Sequence, residues 1–184
     1  MNEMVAGPIG DGRHIWQPEH LADGIVRLSP LLPGDFEELY AVAADPLIWE
    51  QHPNPDRYKR DVFKIYFEGA LSSGGALVAR DPDTGAALGS SRFYDHLPDR
   101  SEVKIGYTFF SRACWGRGVN PSVKRLMLAH AFQHVGHVLF QIGAGNIRSQ
   151  IAIVRLGAVK TGEEMVAYHG EAPKLNYTYR LDRP

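Results

Sequence analysis

Apolar positions along this chain switch between a period near three and a half and a period of two, and each switch marks an element. Ile25-Val26-Arg27-Leu28 reads as a short strand. Pro33-Gly34-Asp35 then opens a helix that carries Phe36, Leu39, Tyr40, Val42 and Ala43 at helical spacing and closes at Pro46. Tyr58, Val62, Phe63, Tyr66 and Phe67 recur three and four apart, which predicts a second amphipathic helix over 56–71, ended by Ser72-Ser73-Gly74-Gly75. Strand-like runs at 76–80 and 87–94 flank Asp81-Pro82-Asp83-Thr84-Gly85, turn chemistry that predicts a hairpin. A loop at 95–100 leads to Val103-Lys104-Ile105-Gly106-Tyr107-Thr108-Phe109-Phe110, rich in β-branched and aromatic residues, so three consecutive strands form an antiparallel meander. A helix over 121–135, a strand at 137–143, a helix over 146–156 stopped by Gly157, and strands at 158–163 and 175–181 complete the order β-α-α-β-β-β-α-β-α-β-β. Without repeats, that order predicts an α/β fold with a mixed sheet.

Residues 1–24 carry glycines and prolines with little periodicity and read as an irregular leader before a single domain over 25–184. A chain of 184 residues suits one domain with a full core. The net charge of −1, from 20 basic and 21 acidic residues, argues against nucleic acid or a membrane surface as partner, so any anion site must be local. One cysteine, Cys114, excludes an internal disulfide framework and a cysteine-rich zinc site. No apolar run approaches the roughly 20 residues of a membrane span, and no signal-type core opens the chain. The expected compartment is the cytoplasm.

The most informative segment is Trp115-Gly116-Arg117-Gly118-Val119-Asn120-Pro121, a small-residue turn between a strand and a helix start. Asn120 is a preferred N-cap, and Pro121 suits the first helical position. Glycines at 116 and 118 let main-chain N–H groups approach an anion closely, and the helix dipole adds positive potential there. The spacing fails the dinucleotide fingerprint, which needs a third glycine, and the Walker loop, since Gly118 is followed by Val-Asn-Pro.

With its neighbours, this segment resembles the acyl-CoA pyrophosphate loop of the GNAT N-acetyltransferases, particularly the RimJ/RimL-like branch, whose loop runs Trp-Gly-x-Gly. Ile105-Gly106-Tyr107, Asn146-Ile147-Arg148-Ser149, Leu156-Gly157-Ala158, the early Asp45-Pro46 with Trp49, and Gly89-Ser90-Ser91-Arg92-Phe93 occur in the branch's order. The resemblance covers roughly residues 25–182. It implies a mixed, mostly antiparallel sheet of six to seven strands with about four helices, in which two adjacent parallel strands, 102–110 and 138–143, splay apart. It implies an N-acetyltransferase that moves the acetyl group of acetyl-CoA directly to a primary amine, on a small molecule or a protein N-terminus.

By the same resemblance, main chain at Tyr107, Thr108 and Phe109 holds the pantetheine arm and polarises the acetyl carbonyl. Trp115, Gly116, Arg117, Gly118, Val119 and Asn120 form the pyrophosphate loop, and Asn146 bonds the pantetheine region. Many members place a tyrosine acid where this chain has Ile153, so Ser149 is the expected hydrogen-bond donor to the departing sulfur. The branch's frequent glutamate falls at Lys104, which leaves Glu102, on the same strand face, as the expected base. Trp49, His52, Arg92 and Tyr94 fall where the family forms its acceptor cleft.

Other residues invite chemistry less. Cys114 has no histidine partner in sequence. His130 and His134 lie four apart on a helix, yet Ala131 stands where the zinc-protease pattern needs glutamate, so they read as packing residues and no metal is expected. A homodimer fits the sequence as well as a monomer does. A CoA-binding sensor without chemistry is the alternative, and Ile153 and Lys104 are the positions that favour it.

Overall fold

The computed structural model describes residues 15–167 and 172–184; the first fourteen residues of the leader lie outside it. The elements run β1 (Leu21–Ala22), β2 (Arg27–Pro30), α1 (Phe36–Ala43), α2 (Arg60–Ser72), β3 (Ala76–Arg80), β4 (Ala87–Leu97), β5 (Glu102–Phe110), α3 (Val119–Ala131), β6 (His137–Gly143), α4 (Ile147–Val154), β7 (Val159–Val166) and β8 (Lys174–Asp182). The strands form one eight-stranded sheet in the order β1-β2-β3-β4-β5-β6-β8-β7, in which only β5 and β6 run parallel. The expected six to seven strands thus become eight. The addition is β1, which falls in the segment read as irregular because two residues carry no detectable period.

The sheet is covered on both faces, and the sequence of β3 shows why. Ala76-Leu77-Val78-Ala79 is apolar without interruption, as a strand buried on both sides requires. Leu77 and Ala79 join one core with Leu28, Phe93, Val103, Val123 and Met127, beneath α3; Ala76 and Val78 join a second with Leu39, Trp49, Phe63 and Phe67, beneath α1 and α2. Trp16, upstream of β1, is 3% exposed and seats its ring 5.1 Å from Phe93, with His130 and His134 packed round it. That contact accounts for the histidine pair as packing residues.

Helix boundaries differ from the expected ones by local turn chemistry. Pro33–Asp35 and Pro55–Tyr58 form tight 3-10 turns ahead of α1 and α2 instead of their first turns. Helix α3 begins at Val119 with Gly118 as N-cap, not at Pro121 with Asn120 as N-cap. Gly118 adopts φ +81°, open to glycine at little cost, and its carbonyl accepts the first helical bond from the Ser122 N–H at 3.0 Å.

Candidate active site

The sheet opens at its one parallel junction. Strands β5 and β6 pair only over Glu102–Lys104 and His137–Leu139, and from Ile105 and Phe140 onward no ladder joins them. Strand β6 stays paired along its whole length with β8, so the opening comes from β5 turning away. The cause lies on its other edge. Between the pairs Ser90↔Phe109 and Arg92↔Gly106, β4 contributes one residue, Ser91, against two on β5, Tyr107 and Thr108. This is a β-bulge, with Tyr107 at φ +51°. The bulge bends β5 and takes the main chain of Tyr107 and Thr108 out of the ladder. The Tyr66 hydroxyl donates to the Tyr107 carbonyl and fixes the peptide on that side.

At the far end of β5 stands the glycine turn. Gly116 (φ +73°) and Gly118 (φ +81°) fold the chain onto α3, and a side chain at 116 would meet only open space. Two N–H groups of the turn are satisfied internally: Trp115 donates to the Arg112 carbonyl at 3.0 Å and Arg117 to the Cys114 carbonyl at 3.2 Å. The N–H groups of Gly116, Gly118, Val119 and Asn120 find no acceptor among the described residues. They converge on a helix N-terminus, where the dipole favours an anion.

Helix α4 closes the other side. Asn146, 5% exposed, caps it by accepting from the Ser149 N–H at 3.1 Å through Oδ1, which leaves its Nδ2 donors for another acceptor. The helix start is tied to the chain after α1, where Gln51 accepts from the Arg148 N–H at 3.2 Å. The Arg148 guanidinium lies 4.1 Å over the Trp115 ring, a cation–π contact that bridges the glycine turn and α4.

These elements enclose one cleft of about 1040 Å³. Its lining includes Arg57, Lys124, Arg125, Arg148 and Arg155 but, among the described residues, no aspartate or glutamate. The charge balance of that lining suits a polyanionic ligand.

The sequence profile of the acetyltransferase (GNAT) domain matches residues 26–159. The chain belongs to the GNAT acetyltransferase family. Among solved structures, a GNAT-family acetyltransferase from Chromobacterium violaceum matches with a TM-score of 0.78 at 19% identity, over 99% of this chain and 96% of its own. Mycobacterium smegmatis RimJ, in complex with CoA-disulfide, matches at 0.68 and 14% identity over 86% and 82%. The microcin C7 self-immunity acetyltransferase MccE, in complex with acetyl-CoA and AMP, matches at 0.72 and 12% over 88% and 94%. At these identities the likeness concerns the fold. No curated protein sequence matches the chain significantly.

In this GNAT acetyltransferase one cleft is lined by most of the residues expected from sequence: Tyr107, Thr108, Phe109, Trp115, Gly116, Gly118, Asn120, Asn146 and Ser149 of the expected cofactor set, and His52 and Tyr94 of the expected acceptor set. Four others stand elsewhere. Trp49 is fully buried, its indole donating to the Ala43 carbonyl at 2.7 Å, so it is a core residue and lines no acceptor cleft. Arg92 is also buried, 4.0 Å over the Tyr107 ring, and supports the bulge from behind. The Val119 side chain packs into the core while its N–H stays in the turn, and Arg117 is exposed, its N–H already used. Glu102 lies in the paired part of β5, five residues or roughly 16 Å along the strand from Tyr107. It lines no part of the cleft, so the expected base role finds no support there.

The electrostatics narrow the chemistry further. Burial, then the Arg57 and Arg148 guanidiniums, push the His52 imidazolium down to about 3, so the ring is neutral at physiological pH and a poor proton acceptor. Burial pushes the Cys114 thiol up, which keeps it protonated and unreactive. Lys124 was not anticipated. It is 4% exposed and lines the cleft, with Nζ 2.6 Å from Thr108 Oγ1 and 3.1 Å from Ser91 Oγ, the two hydroxyls themselves 2.8 Å apart. A sequence signal existed: Lys124 stands three and four residues before the core residues Met127 and Leu128, on the apolar face of α3.

Proposed function

We propose that this acetyltransferase binds acetyl-CoA along the cleft and moves its acetyl group directly to a primary amine held in the same cleft. The observation that carries this reading is the continuity of bulge, splayed strands and free N–H turn within one cleft lined by cations. The N–H groups of Gly116, Gly118, Val119 and Asn120, with Arg125 or Arg155 nearby in the lining, would hold the phosphates. Unpaired main chain on β5 and β6 would pair with the pantetheine arm as an added strand, supported by Asn146 Nδ2. The thioester supplies an activated acetyl group. The N–H groups freed near the bulge would stabilise the developing oxyanion, and the Ser149 hydroxyl, which makes no hydrogen bond among the described residues, would donate to sulfur as it leaves.

The acceptor class is a peptide N-terminus or a small-molecule amine, in keeping with a cytoplasmic enzyme of the RimJ/RimL-like branch. No helix among the described residues is long and apolar enough to cross a membrane. An acceptor panel of peptides, amino acids and amines, read by release of free thiol from acetyl-CoA and by acceptor mass, tests the activity. A gain of 42 mass units on one class, about the mass of an acetyl group replacing hydrogen, is the expected result; CoA binding without thiol release from any amine would instead mark a silent sensor. Ser149→Ala should lower kcat about 10- to 100-fold with CoA affinity unchanged, the cost of one hydrogen bond to a developing charge. Full turnover in that variant would remove Ser149 from the reaction.

A further inference from the structure

Amide formation from an amine that is protonated in water requires a group to take up its proton, and the cleft offers few. Its lining holds no carboxylate among the described residues; the His52 ring is a poor base, the arginines are permanently charged, and Tyr94, Tyr107 and Cys114 are acids. That leaves Lys124. Its amine sits under the bulge, bonded to Thr108 of β5 and Ser91 of β4, and Thr108 lies in the stretch of main chain that the splay exposes.

We propose that Lys124 is the accepting end of a proton relay, drawing through the Thr108 hydroxyl the proton that the acceptor amine gives up. The inference rests on the acetyl-transfer reading. In its neutral form, Nζ accepts from Thr108 Oγ1–H while donating to Ser91 Oγ. The acceptor ammonium passes a proton to Thr108 Oγ1 as the proton of that hydroxyl moves to Nζ, leaving a neutral amine, an intact threonine and a lysine ammonium. The amine nitrogen then bonds to the acetyl carbon, the C–S bond breaks with its electron pair on sulfur, and a second N–H proton ends on sulfur to give the thiol. Lys124 afterwards returns its proton to solvent.

The resting state suits this use. Burial alone, with no charged neighbour contributing from α3, β4 or β5, pushes the Lys124 ammonium down to about 7, where a base works best near neutral pH. The other charged groups of the cleft are Arg57 near His52 and Arg125, Arg148 and Arg155, none of which bonds to Nζ.

The test joins kinetics to a measurement on the free protein. In wild type, 13C NMR of lysine-labelled protein should show one Cε resonance titrating near pH 7 without any ligand, absent from Lys124→Met. That variant should lose about 100- to 1000-fold in kcat/KM, and with it the acidic limb of the pH profile, while retaining the thermal shift on CoA binding. Thr108→Val should behave alike and Thr108→Ser should restore the limb. A Lys124→Met enzyme with an unmoved pH profile and near-full kcat/KM, or a Lys124 resonance that titrates near 10, would overturn the relay alone. A wild-type protein that frees no thiol with any amine would overturn the acetyl-transfer reading and the relay together.

Discussion

Gly118→Val should abolish the stabilisation that CoA confers, while leaving a folded protein. Position 118 combines two duties: it caps α3 at φ +81°, and its N–H is one of four in the turn left without an acceptor among the described residues. The nearest atom to an added Cβ is Ile25 Cδ1 at 3.9 Å, an ordinary contact, so space is no obstacle. Conformation is the obstacle, because a β-branched residue at positive φ costs roughly 1–2 kcal/mol and relaxes by rotating the adjoining peptides. Rotation by a few tens of degrees points the N–H groups of 118–120 apart, and a phosphate then loses several charge-assisted hydrogen bonds at once. Wild type should gain about 2.7 kcal/mol at a CoA concentration a hundredfold above Kd, seen as a rise in Tm. The variant should show no rise at the same concentration. An unchanged rise would mean that CoA does not use this turn.

Lys124→Met should make the protein more stable at neutral pH, by an amount that shrinks as pH rises. An unfolded lysine holds its proton up to about 10.5, whereas burial pulls Lys124 down to about 7 in the folded chain. Between those values the unfolded state binds more protons, so wild-type stability rises with pH across the window; below pH 7 both states are protonated and the full penalty is present. The penalty is on the order of 3–5 kcal/mol. Methionine fills a similar volume without charge, and Ser91 and Thr108 keep their mutual 2.8 Å hydrogen bond. Urea unfolding from pH 6.5 to 10 should therefore show a variant well above wild type at the acid end and converging with it at the alkaline end. A variant less stable by the same amount at every pH would mean that Lys124 is a paired cation.

Much of the architecture was legible from local pattern. β6 falls at the expected 137–143, and the β3-β4-β5 meander follows from alternation and the Asp81–Gly85 turn residues. The glycine turn and the Asn146 cap were readable because both depend on backbone chemistry a few residues long. Misplaced residues share a different cause. Trp49 and Arg92 sit in the right segments, but which way each side chain points depends on the elements packed against it. Glu102 shares a strand with Tyr107, yet no sequence spacing reveals that β5 is still paired at one end and open at the other.

The sequence by itself determined the order of every element but β1, the glycine turn ahead of α3 and the cap of α4, since each is set by neighbours in the chain. Only the tertiary structure decided where β5 leaves β6, because the bulge at Tyr107 and Thr108 is a mismatch of register between two strands rather than a property of either. It alone decided, too, that one lysine of α3 lies desolvated against two hydroxyls from β4 and β5. Burial and pairing belong to what surrounds a residue, and three elements distant in sequence had to meet before Lys124 could lose its water.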